Sequence, residues 1–220
     1  MIKALMLIFD PANTWEKIDT GPRDVGRVFF LFLLPWMLLA SVAETWGLLH
    51  FGLDRSTMSD LPARHSKVSP ELAFRYQAVQ FAFGLVLVFG GALLYRKIGE
   101  SFHRRHSYAD TFATLAYSVS PLFLLRILDG LPLLNTWVCW GIGITLSVAA
   151  LYRGIPRIMK PDPSNALGLY LLCSLLLIVV SGLAHFLAGL VLQEKILTGI
   201  FRMAGLIFQS TFSSAACAAA

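Results

Sequence analysis

Residues 111–152 read TFATLAYSVSPLFLLRILDGLPLLNTWVCWGIGITLSVAALY, and the reading of this stretch decides the fold. It holds two apolar runs, about 111–128 and 131–152, parted only by Asp129-Gly130. Each is close to the roughly 20 apolar residues that cross a bilayer core roughly 30 Å thick as a helix. So short a joint predicts a tight antiparallel hairpin of two membrane-spanning helices. The runs are continuous rather than alternating, which argues against a β-barrel. Inside lipid a helix satisfies every backbone polar group within itself.

Three further runs of the same kind lie outside the hairpin, at about 28–49, 77–95 and 167–192. The expected fold class is therefore all-α, a polytopic bundle of five transmembrane helices. Composition points the same way. Of 220 residues, 56% are hydrophobic and 14% charged, and mean hydropathy is +0.67. Soluble domains carry about 45–50% apolar and about 25% charged residues. This excludes a disordered chain, a coiled coil and a nucleic-acid-binding domain, although the pI is near 9.3. Three cysteines make no disulfide framework. Cys139 and Cys173 fall inside apolar runs, where a thiol acts as a small apolar group, and Cys217 is in the tail.

Two domains are expected. Residues 1–192 form the five-span membrane domain, with an N-terminal interfacial segment. Lys3, the short run 4–9 and Asp10-Pro11 lack a cleavage site of small residues, so the start reads as an interfacial helix and not as a signal peptide. Residues 193–220 form an interfacial helix, about 196–216, and a flexible tail. A sixth span there would set Arg202 near mid-membrane, at a cost of at least about 2.5 kcal/mol.

Charge predicts the orientation, because Lys and Arg in short loops favour the cytoplasmic side. Lys3, Lys17, Arg23 and Arg27 precede the first span. Arg96, Lys97, Arg104 and Arg105 follow the second, and Arg153, Arg157 and Lys160 follow the fourth. These eleven face seven on the other side: Arg55, Arg64, Lys67, Arg75, Arg126, Lys195 and Arg202. The N-terminus is expected inside and the C-terminus outside.

In that frame the polar groups of the spans gather in the outer leaflet. Glu44 lies 17 residues past Arg27, about 25 Å along a helix rising about 1.5 Å per residue. His185 stands at a similar height in the last span. Gln80, Arg126, Asp129 and Asn135 also fall near outer ends. Intramembrane ionisable groups usually face a bundle interior or a wet cavity. Glu44, Gln80, Arg126, Asp129, Asn135 and His185 are therefore the candidate site, a hydrated pocket for a lipid headgroup or small polar solute. Glu44 and Arg126 can form a partly desolvated pair there, with Asp129 competing. Two plainer readings stay open: a structural polar contact between the first and last spans, and snorkelling to the interface.

A second candidate is the inner-facing segment with Asp10, Pro11 and Trp15. It reads as a short helix tucked under the bundle, and a docking site for a cytoplasmic protein is the other reading. Pro35 and Pro121 should kink their spans. Soluble-enzyme motifs are missing. Gly90-Gly91 and Gly141-x-Gly143 sit within spans, where glycine allows close helix packing. His103-Arg104-Arg105-His106 is a solvated basic loop and not a metal site. Ser181 and His185 are four apart, but a serine in a helix more often bonds its own backbone.

Several motifs bear a family likeness. Phe9-Asp10-Pro11, Trp15 and Ile18 precede the first span. Tyr108-Ala109-Asp110 leads to Tyr117-Ser118 and Pro121. Leu151-Tyr152-Arg153-Gly154-Ile155-Pro156 ends the fourth span, and Pro163 with Asn165-Ala166-Leu167-Gly168 opens the fifth. Over roughly residues 5 to 192 the chain resembles the bacterial branch of the Yip1 family of five-span membrane proteins. The resemblance implies the five-span fold and a bacterial inner-membrane location, and hardly any chemistry.

The expected function is that of a non-enzymatic integral membrane protein that organises membrane or lipid, or recruits partners. The alternative is a small transporter or channel using the outer polar pocket. Membrane lipids are the expected partners, with a protein partner open, and no nucleic acid, cofactor or metal. The orientation has a direct check in a cysteine-free background. Arg64→Cys should react with a membrane-impermeant maleimide in intact cells, and Arg104→Cys only after permeabilisation. The reverse pattern would invert the bundle.

Overall fold

A computed structural model describes residues 6–8, 10–21, 23–52, 68–101, 107–131, 135–162 and 164–192. The expected interfacial helix at 196–216, the tail, the 103–106 basic loop and most of the stretch between the first two expected spans lie outside the described residues. Among the described residues every regular element is helical. A short helix α1, Pro11–Asp19, precedes five helices long and apolar enough to span a membrane. These are α2 (Val25–Phe51), α3 (Pro70–Ser101), α4 (Tyr108–Leu128), α5 (Thr136–Met159) and α6 (Ala166–Leu192).

The helix starts are set by local chemistry. Asp10, Asp24, Ser69, Ser107 and Asn135 are N-caps whose side chains accept from backbone N–H groups of the following turn. Pro11 and Pro70 occupy the first turn, where a missing N–H costs nothing. Two boundaries differ from the sequence expectation. α3 begins at Pro70 and not near 77, because Ser69 caps it and Pro70 suits its first turn, and Glu71 and Arg75 on its exposed first turns form an ion pair. Arg75 is thus a helical residue and not part of a loop. α5 begins at Thr136 and not at 131, because Asn135 caps it.

Prolines and glycines shape the spans. Pro35 follows a π-helical turn, Phe29–Leu33, and Pro156 sits within another, Ile155–Met159. A third, Val86–Gly90, precedes Gly91 in α3. Pro121 breaks α4 at Val119. It has no N–H for the Tyr117 carbonyl one turn back, and the Ser120 hydroxyl donates to that carbonyl instead, at 2.7 Å.

α4 is the axis of the bundle. Of its most apolar stretch 78% is buried, against 28–44% for the other spans. Its Phe112, Leu115, Ala116, Val119, Leu122 and Phe123 belong to the main core. Close approach needs small partners: a Cβ on Gly91 would stand 2.7 Å from Leu115 Cδ2. The outer surfaces carry exposed Phe30, Leu31, Val42, Val86, Leu171 and Leu175, the apolar coat that suits lipid.

α1 is built into the end of the bundle where α4 begins. Trp15 is fully buried, with Thr14 and Ile18 beside it. Its ring packs on Gly154, where an added Cβ would stand 2.6 Å from Trp15 Cζ2, and meets Tyr117 edge-on at 6.3 Å. A charge network ties the edge down. Asp19 pairs with Arg23 and with Lys160 at 3.4 Å, and Arg23 reaches Asp110 at 2.8 Å. The Asp10 carboxylate caps α1, Pro11 is its first residue, and Trp15 is core. Trp15→Ala should cost about 3–5 kcal/mol, the range for emptying a buried aromatic site. Gly154→Val should lower the melting temperature in detergent by lifting α1. An unchanged melting temperature in both variants would show that α1 is not seated.

Candidate functional site

Glu44 sits on α2 four residues beyond the fully buried Ala40, on the face turned toward α4 and α3. It is 2% exposed, and each carboxylate oxygen has its own donor. Tyr76 Oη on α3 donates to Oε1 at 2.7 Å, and Arg126 Nη2 on α4 donates to Oε2 at 2.6 Å. Gln80 Nε2, one turn along α3, donates to Tyr76 Oη at 3.2 Å. One carboxylate thus clasps three helices.

A lone carboxylate in hydrocarbon is very costly, and a pair is tolerable only when the remaining bonding capacity is met. The Arg126 side chain is 15% exposed. Asp129 is buried and lies within coulombic reach of Arg126. His185 on α6 lies within coulombic reach of Glu44 and Arg126. It is held by aromatics, with Trp137 edge-on at 4.7 Å and Trp140 stacked at 6.2 Å.

Five of the six residues expected from sequence, Glu44, Gln80, Arg126, Asp129 and His185, line one cavity of about 40 Å³. A water needs about 10–15 Å³ on this measure, so the space admits about three waters and no headgroup. Asn135 is not brought to it. Its carboxamide oxygen accepts from Trp137 N at 2.8 Å and caps α5. The Ser181 hydroxyl, also at the cavity, donates to Ile178 O at 3.2 Å in its own helix. Among the described residues no three His, Cys, Asp or Glu side chains are grouped to hold a metal.

One bonding partner, Tyr76, escaped the sequence reading, whereas Gln77 is expected with Gln80 in the first turns of the second span. Tyr76 bonds Glu44 directly, and Gln77 is buried within interaction reach of it, although no hydrogen bond to Gln77's amide is formed. Starting the second span at 77 left Tyr76 in a loop. The usable signal was the i, i+4 spacing of Tyr76 and Gln80.

The pair's architecture makes a sharp expectation. Removing one partner strands a buried charge, so Glu44→Gln or Arg126→Met alone should destabilise by about 3–5 kcal/mol. The double variant Glu44→Met/Arg126→Met should recover much of that loss. Thermal unfolding of the four proteins in one detergent checks it. Additive losses would mean that the two side chains do not act as a pair.

Comparison with known proteins places this geometry. A model of the Yip1 domain matches residues 5–185, which include α1, four of the spans whole and α6 as far as His185. No curated protein and no solved structure matches the chain. With most of its length matched, and five apolar helices in place, this chain belongs to the Yip1 family of integral membrane proteins.

Proposed function

We propose that this protein is a non-enzymatic membrane protein whose bundle holds and organises lipid. One observation carries the reading: the cavity at the Glu44–Arg126 pair is small, whereas the larger concavities lie elsewhere on the bundle. The interior cavity measures about 40 Å³. A groove of about 570 Å³ lies between α1, the end of α5 and the start of α6. An apolar slot of about 240 Å³ lies between α3 and α6, against Gly90, Gly91, Leu176 and Val180. Ligand pockets for small molecules run to about 300–1,000 Å³, a size that the groove reaches and the interior cavity does not.

The polar cluster then has a structural task. Glu44, Arg126 and Tyr76 hold α2, α3 and α4 in register, and His185 packs α6 on Trp137 and Trp140 of α5 beside them. A transport path through this cluster would have to break the Glu44–Arg126 pair in every cycle. Charge distribution supports an α1 that faces the cytoplasm, and the resemblance to bacterial members supports an inner-membrane setting.

Reconstitution separates the readings. In proteoliposomes the parent should pass small polar solutes no faster than empty vesicles, and Glu44→Gln should not change that. Native mass spectrometry from nanodiscs should show phospholipid retained on the parent. Flux through the parent above that of empty vesicles would replace this reading with the transporter, and a parent that retains no lipid would remove it.

A further inference from the structure

The groove at the α1 end has a chemistry of its own. Its polar wall is made by Arg153 and Arg157, in the last turns of α5. Arg157 stands 3.8 Å from Glu16 on α1, a long and exposed contact that contributes little. Among the described residues no carboxylate lies within ion-pair distance of Arg153. The groove therefore presents two guanidiniums against one loosely held carboxylate. By contrast, Arg23 and Lys160 at the same end are engaged by Asp19 and Asp110.

The other walls are apolar or amphipathic. Tyr152 and Tyr170 meet edge-on at 5.0 Å. Both line the groove, along with Ile155, Pro156 and Leu167. Tyrosine rings of this kind suit the headgroup level of a bilayer. Leu167 begins an exposed stripe on α6 that continues at one-turn intervals through Leu171, Leu175 and Val179, each more than half exposed. An apolar track thus leads from the two arginines along the membrane-facing side of the bundle. A free anion would have no use for such a track, whereas an acyl chain would lie along it.

We propose that this groove is a binding site for an anionic glycerophospholipid. Its phosphate sits between Arg153 and Arg157, which can each offer a forked pair of N–H donors. Its acyl chain follows Leu167, Leu171, Leu175 and Val179. The site rests on the lipid-organising reading and names the lipid class.

The test uses the full chain in nanodiscs of phosphatidylcholine with phosphatidylglycerol, read by native mass spectrometry. The parent should retain phosphatidylglycerol in preference to phosphatidylcholine. Arg153→Ala/Arg157→Ala should lower that preference by about ten- to thirtyfold, the effect expected of two basic side chains near an anionic headgroup. Arg153→Lys/Arg157→Lys should keep part of it. Arg96→Ala, which removes an exposed charge paired with Glu100 outside the groove, should leave it unchanged. Melting temperatures of the variants report folding separately.

Retained lipid with no anionic preference, or a preference that the double alanine variant keeps, would overturn this site and leave the lipid-organising reading standing. Retention of no lipid at all would overturn both. Glycerophosphate competing as well as phosphatidylglycerol would show that the groove takes the anion alone, and would overturn the lipid assignment.

Discussion

The rest of the bundle is arranged around one buried ion pair, Glu44 with Arg126. Neither charge tolerates hydrocarbon alone, so each fixes the place of the other. Arg126 is on the central helix, and Glu44 is on the first span. Tyr76 from the second span takes the remaining carboxylate oxygen. Apolar contacts between helices in lipid are poor at setting register, because lipid tails are as apolar as the side chains they replace. A hydrogen-bonded pair has one geometry: sliding α2 or α4 by a turn would leave a charge unmatched, and sliding α3 would take the Tyr76 hydroxyl from the carboxylate. The pair need not add much net stability to do this; its contribution is to exclude other arrangements.

The central helix shows what the pair has to position. α4 is broken at Val119 because Pro121 cannot donate, and Ser120 meets the carbonyl left over. The half before the break packs with α3, α5 and the start of α2, and the half after it with α2 and α5. Arg126 lies on the second half and Tyr117 at the end of the first. The break therefore separates two tasks along one helix. One end seats Trp15 of α1 against Tyr117 and Gly154, and the other carries the charge that gathers α2 and α3.

Much of this was legible in the sequence, and the illegible parts have physical reasons. The five spans follow from apolar run length, which depends only on bilayer thickness. Glu44 and His185 stood out because a charge or an imidazole in a span is expensive. Convergence of Gln80 and Arg126 with them followed from depth along antiparallel helices. Tyr76 was lost because Arg75 made the span seem to start later, although an exposed helical turn carries charge easily. Asn135 has the same depth as the cluster but serves as a cap, and depth alone cannot separate the two roles. Trp15 can be read from sequence either as tucked under the bundle or as an exposed docking residue, because a nine-residue helix does not show which face is covered. Its cover comes from Gly154, far along the chain, and only packing brings them together.

The two ends of the bundle use opposite electrostatic strategies. At the Glu44 end, charges are few, buried and matched within a cavity of about 40 Å³. At the α1 end, charges are many and exposed. Asp19 and Asp110 hold Arg23 and Lys160, and two arginines are left facing a groove of about 570 Å³. The difference follows from water. A buried charge must be answered by protein, whereas a charge at the interface can be left for the solvent or for a headgroup to answer. The groove is bounded by α1 through Ala12, and Glu16 of α1 is the carboxylate that stands against Arg157. A phosphate in the groove would compete with Glu16 for Arg157. The same contact that seals Trp15 on Gly154 keeps α1 from leaving, so the competition would fall on one weak ion pair and not on the fold.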